Sequence, residues 1–206
     1  MAETITKPKV TKVAIAGCGG IGAFLASNLF DYGAKRNQFQ FTDMTIDVFD
    51  DDIVDASNLL HQNFTDDDVG RYKAEIVAER CGGLVNAHKR YMTKKDFEKY
   101  DVVFSCVDSM TFRKDLYTYG FKNPELFWID GRCSSRQIGL YHAKVPQKQL
   151  EAALSDGKER TGCLREVDKK NKVSHVTPQI IAGIMAQTFL NYLRGELQAG
   201  QLVVMI

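Results

Sequence analysis

The stretch that decides the fold is residues 13–22, VAIAGCGGIG, in which four apolar residues run directly into a glycine-rich turn. After Gly22, apolar residues recur at helical spacing as far as Leu29, and Gly33 is the predicted stop. A short apolar strand, a glycine turn and a helix in this order predict the first half of a β-α-β unit. Such units place parallel strands side by side, with a helix packed across them.

Strands and helices continue to alternate beyond this unit, which predicts a largely parallel sheet. The last strands have little helix between them, so we expect the sheet to become mixed toward the C-terminal half. The sequence therefore predicts a single α/β, Rossmann-like domain over residues 1–206, with helices flanking the sheet. The further predicted strands are 45–49, 84–88, 101–106, 127–130, 138–145 and 202–206, and the predicted helices are 69–80, 94–99, a stretch through Arg113 and Tyr117, and one that begins at 177–178 after a polar segment at 147–172.

Composition and charge exclude several classes of protein. The 206 residues carry 27 Lys and Arg against 26 Asp and Glu, which is too balanced for a general electrostatic grip on nucleic acid or a membrane surface. A hydrophobic content of 44% is too high for a disordered chain. The five cysteines include no Cys-x-x-Cys pair of the kind that binds zinc. With no leader segment and no long apolar run, the sequence predicts a soluble, cytoplasmic protein.

The spacing of Gly17, Gly19 and Gly22 is typical of nucleotide-binding loops. Glycines at these positions allow a tight turn, a close approach of the backbone to phosphate, and close packing of the helix on the sheet. The N-terminus of the following helix offers N–H groups and a partial positive charge to an anion. The loop alone leaves NAD, FAD and ATP open as ligands.

Three aspartates, Asp50, Asp51 and Asp52, end the second predicted strand. An acidic side chain at this place can accept hydrogen bonds from ribose hydroxyls. Alternation along a strand would put Asp50 and Asp52 on one face and Asp51 on the other, where a solvated loop position explains it. The pair on one face also offers carboxylates to a cation, although a pair alone is a weak signal for a metal.

Further motifs follow in a fixed order and carry a resemblance to a known family. They are the patterns DxDxVxxSNL at 50–59, with Gln62 after it, VGxxK at 69–73, and CVDS at 106–109, with Arg113 after it. Together with the glycine loop, this series resembles the ThiF/MoeB family, which includes the adenylation domains of ubiquitin-activating enzymes. The resemblance extends over about residues 10–206 and is sharpest between 13 and 113.

The resemblance implies ATP, rather than a nicotinamide, as the ligand of the glycine loop. It implies that Asp50 holds the ribose hydroxyls and that Asp108 binds Mg²⁺ bridging the phosphates. It also places Asn58, Gln62 and Lys73 near the phosphates. The full set of nucleotide-binding residues implied in this way is Gly17, Gly19, Gly20, Gly22, Asp50, Asp52, Asn58, His61, Gln62 and Lys73.

The reaction that the resemblance implies is adenylation of a carboxylate. The C-terminal glycine of a small ubiquitin-like or sulfur-carrier-like protein attacks the α-phosphorus of ATP, and pyrophosphate leaves. Positioning two anions and neutralising the developing charge is the whole task in such a step, which suits Lys73, the helix N-terminus and Mg²⁺. Family members are usually dimers, so the resemblance also implies a homodimer. The balanced charge predicts no nucleic-acid or membrane partner.

Cys163 lies in a basic segment, RTGCLR at 160–165, and some family members carry a cysteine in this region that accepts the activated acyl group. The flanking Arg160 and Arg165 favour the thiolate, which is the nucleophilic form. An incidental loop cysteine explains the residue equally well, so both interpretations stay open. The predicted catalytic residues are Lys73, Asp108 and Cys163.

Departures from the family pattern keep other functions open. The family's phosphate-binding arginine is His61 in this chain, and an imidazole is largely neutral at pH 7 and has no guanidinium fork. The family's N-terminal helix, which supplies an arginine to a neighbouring subunit's site, has no counterpart before the first predicted strand. One alternative is therefore a non-catalytic partner subunit that binds nucleotide. Another is a NAD-dependent oxidoreductase, although it gives no reason for the motifs at 57–59 and 70–73.

Overall fold

Seven strands form one sheet in the computed structural model, which describes residues 10–35, 44–134, 136–155, 170–171, 173–200 and 202–205. The strands are β1 Lys12–Ala16, β2 Thr45–Phe49, β3 Val85–His88, β4 Val102–Ser105, β5 Phe127–Ser134, β6 Gln137–His142 and β7 Leu202–Met205. Their order across the sheet is β3-β2-β1-β4-β5-β6-β7. Strands β1 to β5 run parallel, whereas β6 pairs antiparallel with both β5 and β7. The predicted Rossmann-like sheet, mixed toward its C-terminal half, is confirmed.

Helices cover both faces of this sheet and supply crossovers between its parallel strands. The α-helices are α1 Gly20–Phe30, α2 Lys73–Arg80, α3 Met110–Lys122, α4 Gln147–Ser155 and α5 Thr177–Arg194. Shorter turns are a π-helical turn at Asp31–Lys35 and 3-10 helices at Ala56–Leu60, Asp66–Asp68 and Lys94–Lys99.

The core lies in two layers, one on each face of the sheet. Val13 and Ile15 of β1 pack into the layer that contains α1, α2 and α5. The alternate residues Ala14 and Ala16 pack into the opposite layer, with α3 and α4. This is the two-residue period of a strand that is buried on both faces. Trp128 of β5 is fully buried in the second layer.

Several element boundaries differ from the prediction. Helix α2 begins at Lys73, because Gly70 adopts a left-handed φ of +86° and the chain turns there before the helix starts. Helix α4 forms inside the polar segment where we predicted no element, and its Leu150 is fully buried against the second core layer. Strand β6 ends at His142, three residues earlier than expected.

The strand order places a crevice at the carboxyl end of β1. The chain leaves β1 toward β2 and β3 on one side, then returns to β4 on the other side of β1. Open α/β sheets bind their ligands at such a reversal, beyond the carboxyl ends of the strands. Among the described residues, no helix combines the length and the apolar character needed to cross a membrane.

Candidate functional site

A cleft of about 990 Å³ opens at the carboxyl ends of the strands. It runs from the end of β2, past the turn after β1 and the end of β4, to β5, β6 and β7. Phe49, Asp108, Arg132 and Val203 line it at successive points along this path. The cleft therefore occupies the crevice that the strand order predicts for a ligand.

The glycine loop forms one wall of the cleft and has no room for side chains at Gly17 and Gly22. Gly17 has φ +89°, and a Cβ on it would lie 2.9 Å from the carbonyl oxygen of Cys106. A Cβ on Gly22 would lie 1.8 Å from the carbonyl oxygen of Gly17. Helix α1 follows an N-cap residue, Gly19, that has no side chain to cap it. Gly19, Gly20 and Ile21 line the cleft, so the uncapped first turn of α1 offers its N–H groups there as an anion-binding end.

Asp50 ties the glycine loop to the end of β2. The residue is only 7% exposed, and its carboxylate accepts the N–H of Cys18 at 2.6 Å and the N–H of Asp52 at 2.9 Å. Burial raises the pKa of Asp50, against the opposite effect of these two donors and of Lys73. Each carboxylate oxygen has a further lone pair, so these bonds leave the predicted contact with ribose hydroxyls feasible.

The two aspartates that follow are also held by neighbouring side chains. Lys73, which is 5% exposed, donates from Nζ to Asp52 Oδ2 at 2.8 Å. The hydroxyl of Tyr91 bonds to Asp51, and this bond raises the pKa of Tyr91. One oxygen from each of Asp50, Asp51 and Asp52 lies within 4.8 Å of the others. Backbone N–H groups and Lys73 engage Asp50 and Asp52, and a cluster of acidic side chains is by itself no evidence of a metal, so it carries no metal assignment.

Asn58, His61 and Gln62 line the cleft beside the glycine loop. Asn58 Oδ1 accepts the N–H of Asp55 at 3.0 Å, so its side-chain NH₂ group is the end that can donate to a ligand. The side-chain amide of Gln62 lies 3.7–3.9 Å from the place where a Cβ on Gly19 would be. His61 Nε2 is 3.4 Å from Gln62 Nε2. The structure thus brings these three predicted side chains to the same end of the cleft.

Asp108 lines the cleft on the turn after β4, and it is exposed. Arg113 of α3 holds this turn from below. Its Nη1 donates to the carbonyl oxygen of Asp108 at 3.3 Å, and its Nη2 donates to the carbonyl oxygen of Val107. Its Nε pairs with Asp130 at 3.0 Å. Arg113 therefore ties the turn that carries Asp108 to the core beneath the cleft.

Asp130, in the middle of β5, is fully buried, and we did not predict its role. Oδ1 accepts from Ser105 Oγ at 2.7 Å and from Arg113, and Oδ2 accepts from Tyr117 at 2.7 Å and from Arg132 at 2.8 Å. Burial alone would raise the pKa of Asp130, but the two guanidiniums and two hydroxyls hold it below its ordinary value. The available signal was a charged residue that directly follows an apolar strand, since a buried charge requires partners.

With this geometry in hand, the comparison with known proteins identifies the family. A family model described as the ThiF family matches residues 2–204. The chain belongs to the ThiF family. The proposed resemblance is therefore confirmed, and the match extends over nearly the whole chain.

Individual ThiF-type relatives are distant and longer. The NEDD8-activating enzyme E1 catalytic subunit of Caenorhabditis elegans is 28% identical over 158 residues, which are 72% of this chain and 32% of that protein. The ATP-dependent ubiquitin transferase-like protein Cap2 of Escherichia coli (strain TW11681) is 27% identical over 109 residues, 49% of this chain and 18% of that protein. The chain thus spans a third or less of the length of these relatives.

A solved structure shows the same fold. The crystal structure of E. coli MccB with ATP superposes on this chain with a TM-score of 0.68 at 16% identity. The superposition covers 95% of this chain and 60% of the MccB chain. The ThiF-family chain therefore has the fold of the larger part of MccB.

The cysteines of this ThiF-family chain divide by position. Cys18 in the glycine loop is fully buried, as expected of a packing residue, whereas Cys106 is half-buried and lines the cleft. Cys163, with its flanking Arg160 and Arg165, lies outside the described residues. Of the predicted catalytic residues, the structure therefore places Lys73 and Asp108.

Proposed function

We propose that this protein is an ATP-dependent adenylyltransferase that activates the C-terminal carboxylate of a small protein or peptide. ThiF-family enzymes are adenylyltransferases. Solved structures of the similar MccB include complexes with ATP and with AMPCPP plus MccA. The observation that carries the proposal is a single cleft lined by both the glycine loop and the exposed Asp108.

ATP binding in this proposal uses groups along the β2 to β4 part of the cleft. The N-terminus of α1 and the side-chain amides of Asn58 and Gln62 donate to the phosphates. Asp50 accepts from the ribose hydroxyls. Lys73 does not itself line the cleft, but its Nζ donates to Asp52, which does, at 2.8 Å, so we place its charge behind Asp52 at the phosphate end.

Asp108 fits a Mg²⁺ ion better than Asp50 and Asp52 do. Mg²⁺ prefers oxygen ligands, of which one or two are carboxylates and others are substrate phosphates. Asp108 is exposed beside the phosphate end of the cleft, whereas the carboxylates of Asp50 and Asp52 are engaged by backbone N–H groups and by Lys73. When bound, Mg²⁺ supplies neutralisation of charge on the phosphates.

The chemical step then requires no covalent help from the protein. A carboxylate oxygen of the acceptor forms a bond to the α-phosphorus, the bond to the bridging oxygen breaks, and pyrophosphate leaves. The protein holds two anions in line and keeps water out of the cleft.

We propose a second step at Cys163, in which the thiolate attacks the acyl carbon and AMP leaves. The basic residues that flank Cys163 in the sequence support this role. We expect Cys163→Ala to keep adenylate formation and to lose a thioester-linked product that is visible on non-reducing gels and cleaved by thiols. Loss of the adenylate itself in this variant would contradict a purely acceptor role.

For the acceptor we propose a ubiquitin-like or sulfur-carrier-like protein that ends in glycine, and for the assembly a cytoplasmic homodimer. The names NEDD8-activating enzyme and MccB with MccA support a small protein or peptide as acceptor. The apolar face of α5 gives no support to the dimer, because Ile181, Met185 and Phe189 are buried within the chain. Light scattering during gel filtration measures the assembly directly.

ATP–pyrophosphate exchange tests the proposed function. We expect exchange of labelled pyrophosphate into ATP that requires both Mg²⁺ and a small acceptor that ends in glycine. ATP binding without exchange under any acceptor would favour the non-catalytic partner subunit. Binding of NAD without binding of ATP would contradict the proposal and favour an oxidoreductase.

A further inference from the structure

The buried cluster beneath the cleft holds more positive than negative charge. Arg113 and Arg132 both pair with one carboxylate, Asp130, which is fully buried. The side chains of the two arginines are 7% and 15% exposed. Among the described residues, neither guanidinium makes any other ion pair. The cluster therefore has one positive charge in excess, and a low-dielectric wall makes such a charge attract an anion strongly.

The two arginines differ in how many N–H groups remain available to a ligand. Arg113 donates from Nε to Asp130 and from its other two nitrogens to carbonyl oxygens of the 107–108 turn. All three nitrogens of Arg113 therefore bond within the protein. Arg132 donates one N–H to each of three partners: Asp130 at 2.8 Å, the carbonyl oxygen of Ala153 at 2.9 Å and the hydroxyl of Tyr117 at 2.9 Å. A guanidinium has five N–H groups, so two of those of Arg132 are left by these bonds.

Arg132 is also held rigidly at the wall of the cleft. Its guanidinium lies 4.5 Å from the ring centroid of Tyr141 on β6, and its bond to Ala153 ties it to α4. Both Arg132 and Tyr141 line the cleft. A donor fixed on three sides binds an anion with little further loss of conformational entropy.

The strand order places Arg132 beside the nucleotide rather than on it. The glycine loop follows β1, Asp108 follows β4, and Arg132 lies on β5, two strands from β1. Neighbouring strands are about 4.8 Å apart, so β5 lies about 10 Å from β1. Arg113 bridges the Asp108 turn and Asp130, whose other oxygen holds Arg132. The excess charge therefore lies next to the place proposed for the phosphates, on the side of β5 to β7.

We propose that Arg132 binds the terminal carboxylate of the acceptor, so that the β5–β7 part of the cleft is selective for a peptide chain with a free C-terminus. This assignment rests on the proposed adenylation, because the anion beside the nucleotide is then the attacking carboxylate. One carboxylate oxygen accepts from Arg132, and the other oxygen is left to attack the α-phosphorus. Arg132 is thereby a binding and positioning residue, and it transfers no proton.

The test uses the full chain without nucleotide and two fluorescein-labelled hexapeptides of one sequence ending in Gly-Gly, one with a free carboxylate and one with a C-terminal amide. Fluorescence anisotropy gives the Kd of each. We expect the free acid to bind the wild type about tenfold more tightly than the amide, as a charge-assisted hydrogen bond predicts. We expect Arg132→Gln to lose that preference and Arg132→Lys to keep part of it.

Arg136→Gln is the matched control, because it removes the same charge from an exposed position four residues along the chain, outside the lining of the cleft. It should keep the full preference for the acid. Arg132→Gln leaves Asp130 paired with Arg113, so no unpaired charge is buried, and thermal melting checks its fold.

The outcomes separate this inference from the proposed function. The assignment of Arg132 is overturned if the peptide with the free carboxylate binds the wild type no better than the amidated peptide. This holds whether both peptides bind or neither does. The assignment is also overturned by an unchanged preference for the acid in Arg132→Gln, or by a loss of ATP affinity in that variant, which would place the charge on the phosphates instead. Absence of ATP binding to the wild type, by contrast, rejects the proposed adenylation and leaves the peptide measurement to stand by itself.

Discussion

Asp108 and Asp50 both follow a strand at the cleft, but their surroundings differ. Asp50 is buried and holds two backbone N–H groups, whereas Asp108 is exposed and its turn is held by Arg113 through the main chain. Removal of the Asp50 carboxylate would therefore disturb the glycine loop. Removal of the Asp108 carboxylate would leave every described bond of its turn in place, which makes Asp108 the cleaner test of the proposed metal site.

We expect Asp108→Ala to abolish Mg²⁺-dependent pyrophosphate exchange and to change the free energy of unfolding by no more than about 0.5 kcal/mol, as is usual for an exposed side chain. Exchange assays and urea denaturation measure the two effects. Asp67→Ala, which removes another exposed aspartate, should leave both unchanged. Undiminished exchange in Asp108→Ala would show that Mg²⁺ is held elsewhere.

Gly22 and Gly183 give a second comparison between single residues. A Cβ on Gly22 would meet the carbonyl oxygen of Gly17 at 1.8 Å, so Gly22→Ala must displace the glycine loop, where we propose that the phosphates bind. We expect it to lose ATP affinity, measured by calorimetry, and to lower stability. Gly183 lies within α5 and its Cβ would meet nothing within 4 Å. Gly183→Ala should therefore stabilise the protein by about 0.4–1 kcal/mol, and a destabilised Gly183→Ala would contradict the placement of this helix.

Between elements, Asp130 is the residue that joins β5 to its neighbours. Its carboxylate bonds to Ser105 on β4 and to Arg113 and Tyr117 on α3, so one buried charge fixes two strands and a helix. A buried ion pair is weak evidence for net stability, but removal of one member leaves an uncompensated charge. The effect of a substitution here depends on which member is removed.

We expect Asp130→Asn to lower the free energy of unfolding by about 3–5 kcal/mol, because it buries two guanidiniums without a counter-ion. Arg132→Gln should cost clearly less, because Asp130 and Arg113 remain as a neutral pair. Urea denaturation of both variants gives the comparison. An equal cost for the two would mean that hydrogen bonding, and not charge balance, governs the cluster.

The same elements mark how far the sequence predicts this structure. The glycine loop and β1 were predictable, because a short apolar run followed by glycines at a fixed spacing is a local feature of the sequence. The start of α2 was missed by four residues, since the turn at Gly70 depends on its left-handed φ. Helix α4 was missed because its burial depends on Leu150 meeting residues distant in the chain.

In the candidate site, the predicted motifs lie along one cleft, but the pairing of side chains that are distant in the sequence was not predicted. The resemblance to the family implied that Asn58, Gln62 and Asp108 share one site, and all three line the cleft. It did not predict the partner of Lys73, which is Asp52 at 2.8 Å, nor the meeting of two arginines on Asp130. Those pairs join residues on separate strands and helices, and nothing in their local sequence specifies the match.

At the scale of the whole molecule, the parallel and antiparallel parts of the sheet have different tasks in our proposal. The parallel part supplies the crevice at the carboxyl ends of β1 and β4, where the glycine loop and Asp108 lie. The antiparallel strands β6 and β7 extend the cleft beyond β5. The proposed acceptor part of the cleft therefore requires that β6 and β7 stay paired with the rest of the sheet.

His142, at the end of β6, makes that pairing sensitive to pH. It is 3% exposed, accepts the N–H of Lys144 at 3.3 Å and bonds to the backbone of Gly200 just before β7. Burial lowers the pKa of His142 to about 4, and the nearby charge of Lys144 acts in the same direction. The native protein therefore keeps this imidazole neutral over a range in which the unfolded chain protonates it.

Above its unfolded pKa of about 6.5, both states are neutral at His142 and the protein has its full stability. As pH falls from about 6.5 to about 4, the unfolded chain binds a proton that the native protein does not, so the free energy of unfolding falls, by on the order of 3 kcal/mol in total. We expect His142→Gln, whose amide can still accept the N–H of Lys144, to lack this part of the loss. Urea denaturation of both proteins at a series of pH values between 4 and 7 measures the difference. Contributions from aspartates such as Asp130 are common to both proteins and cancel, so parallel pH profiles would show that His142 is not buried as a neutral group.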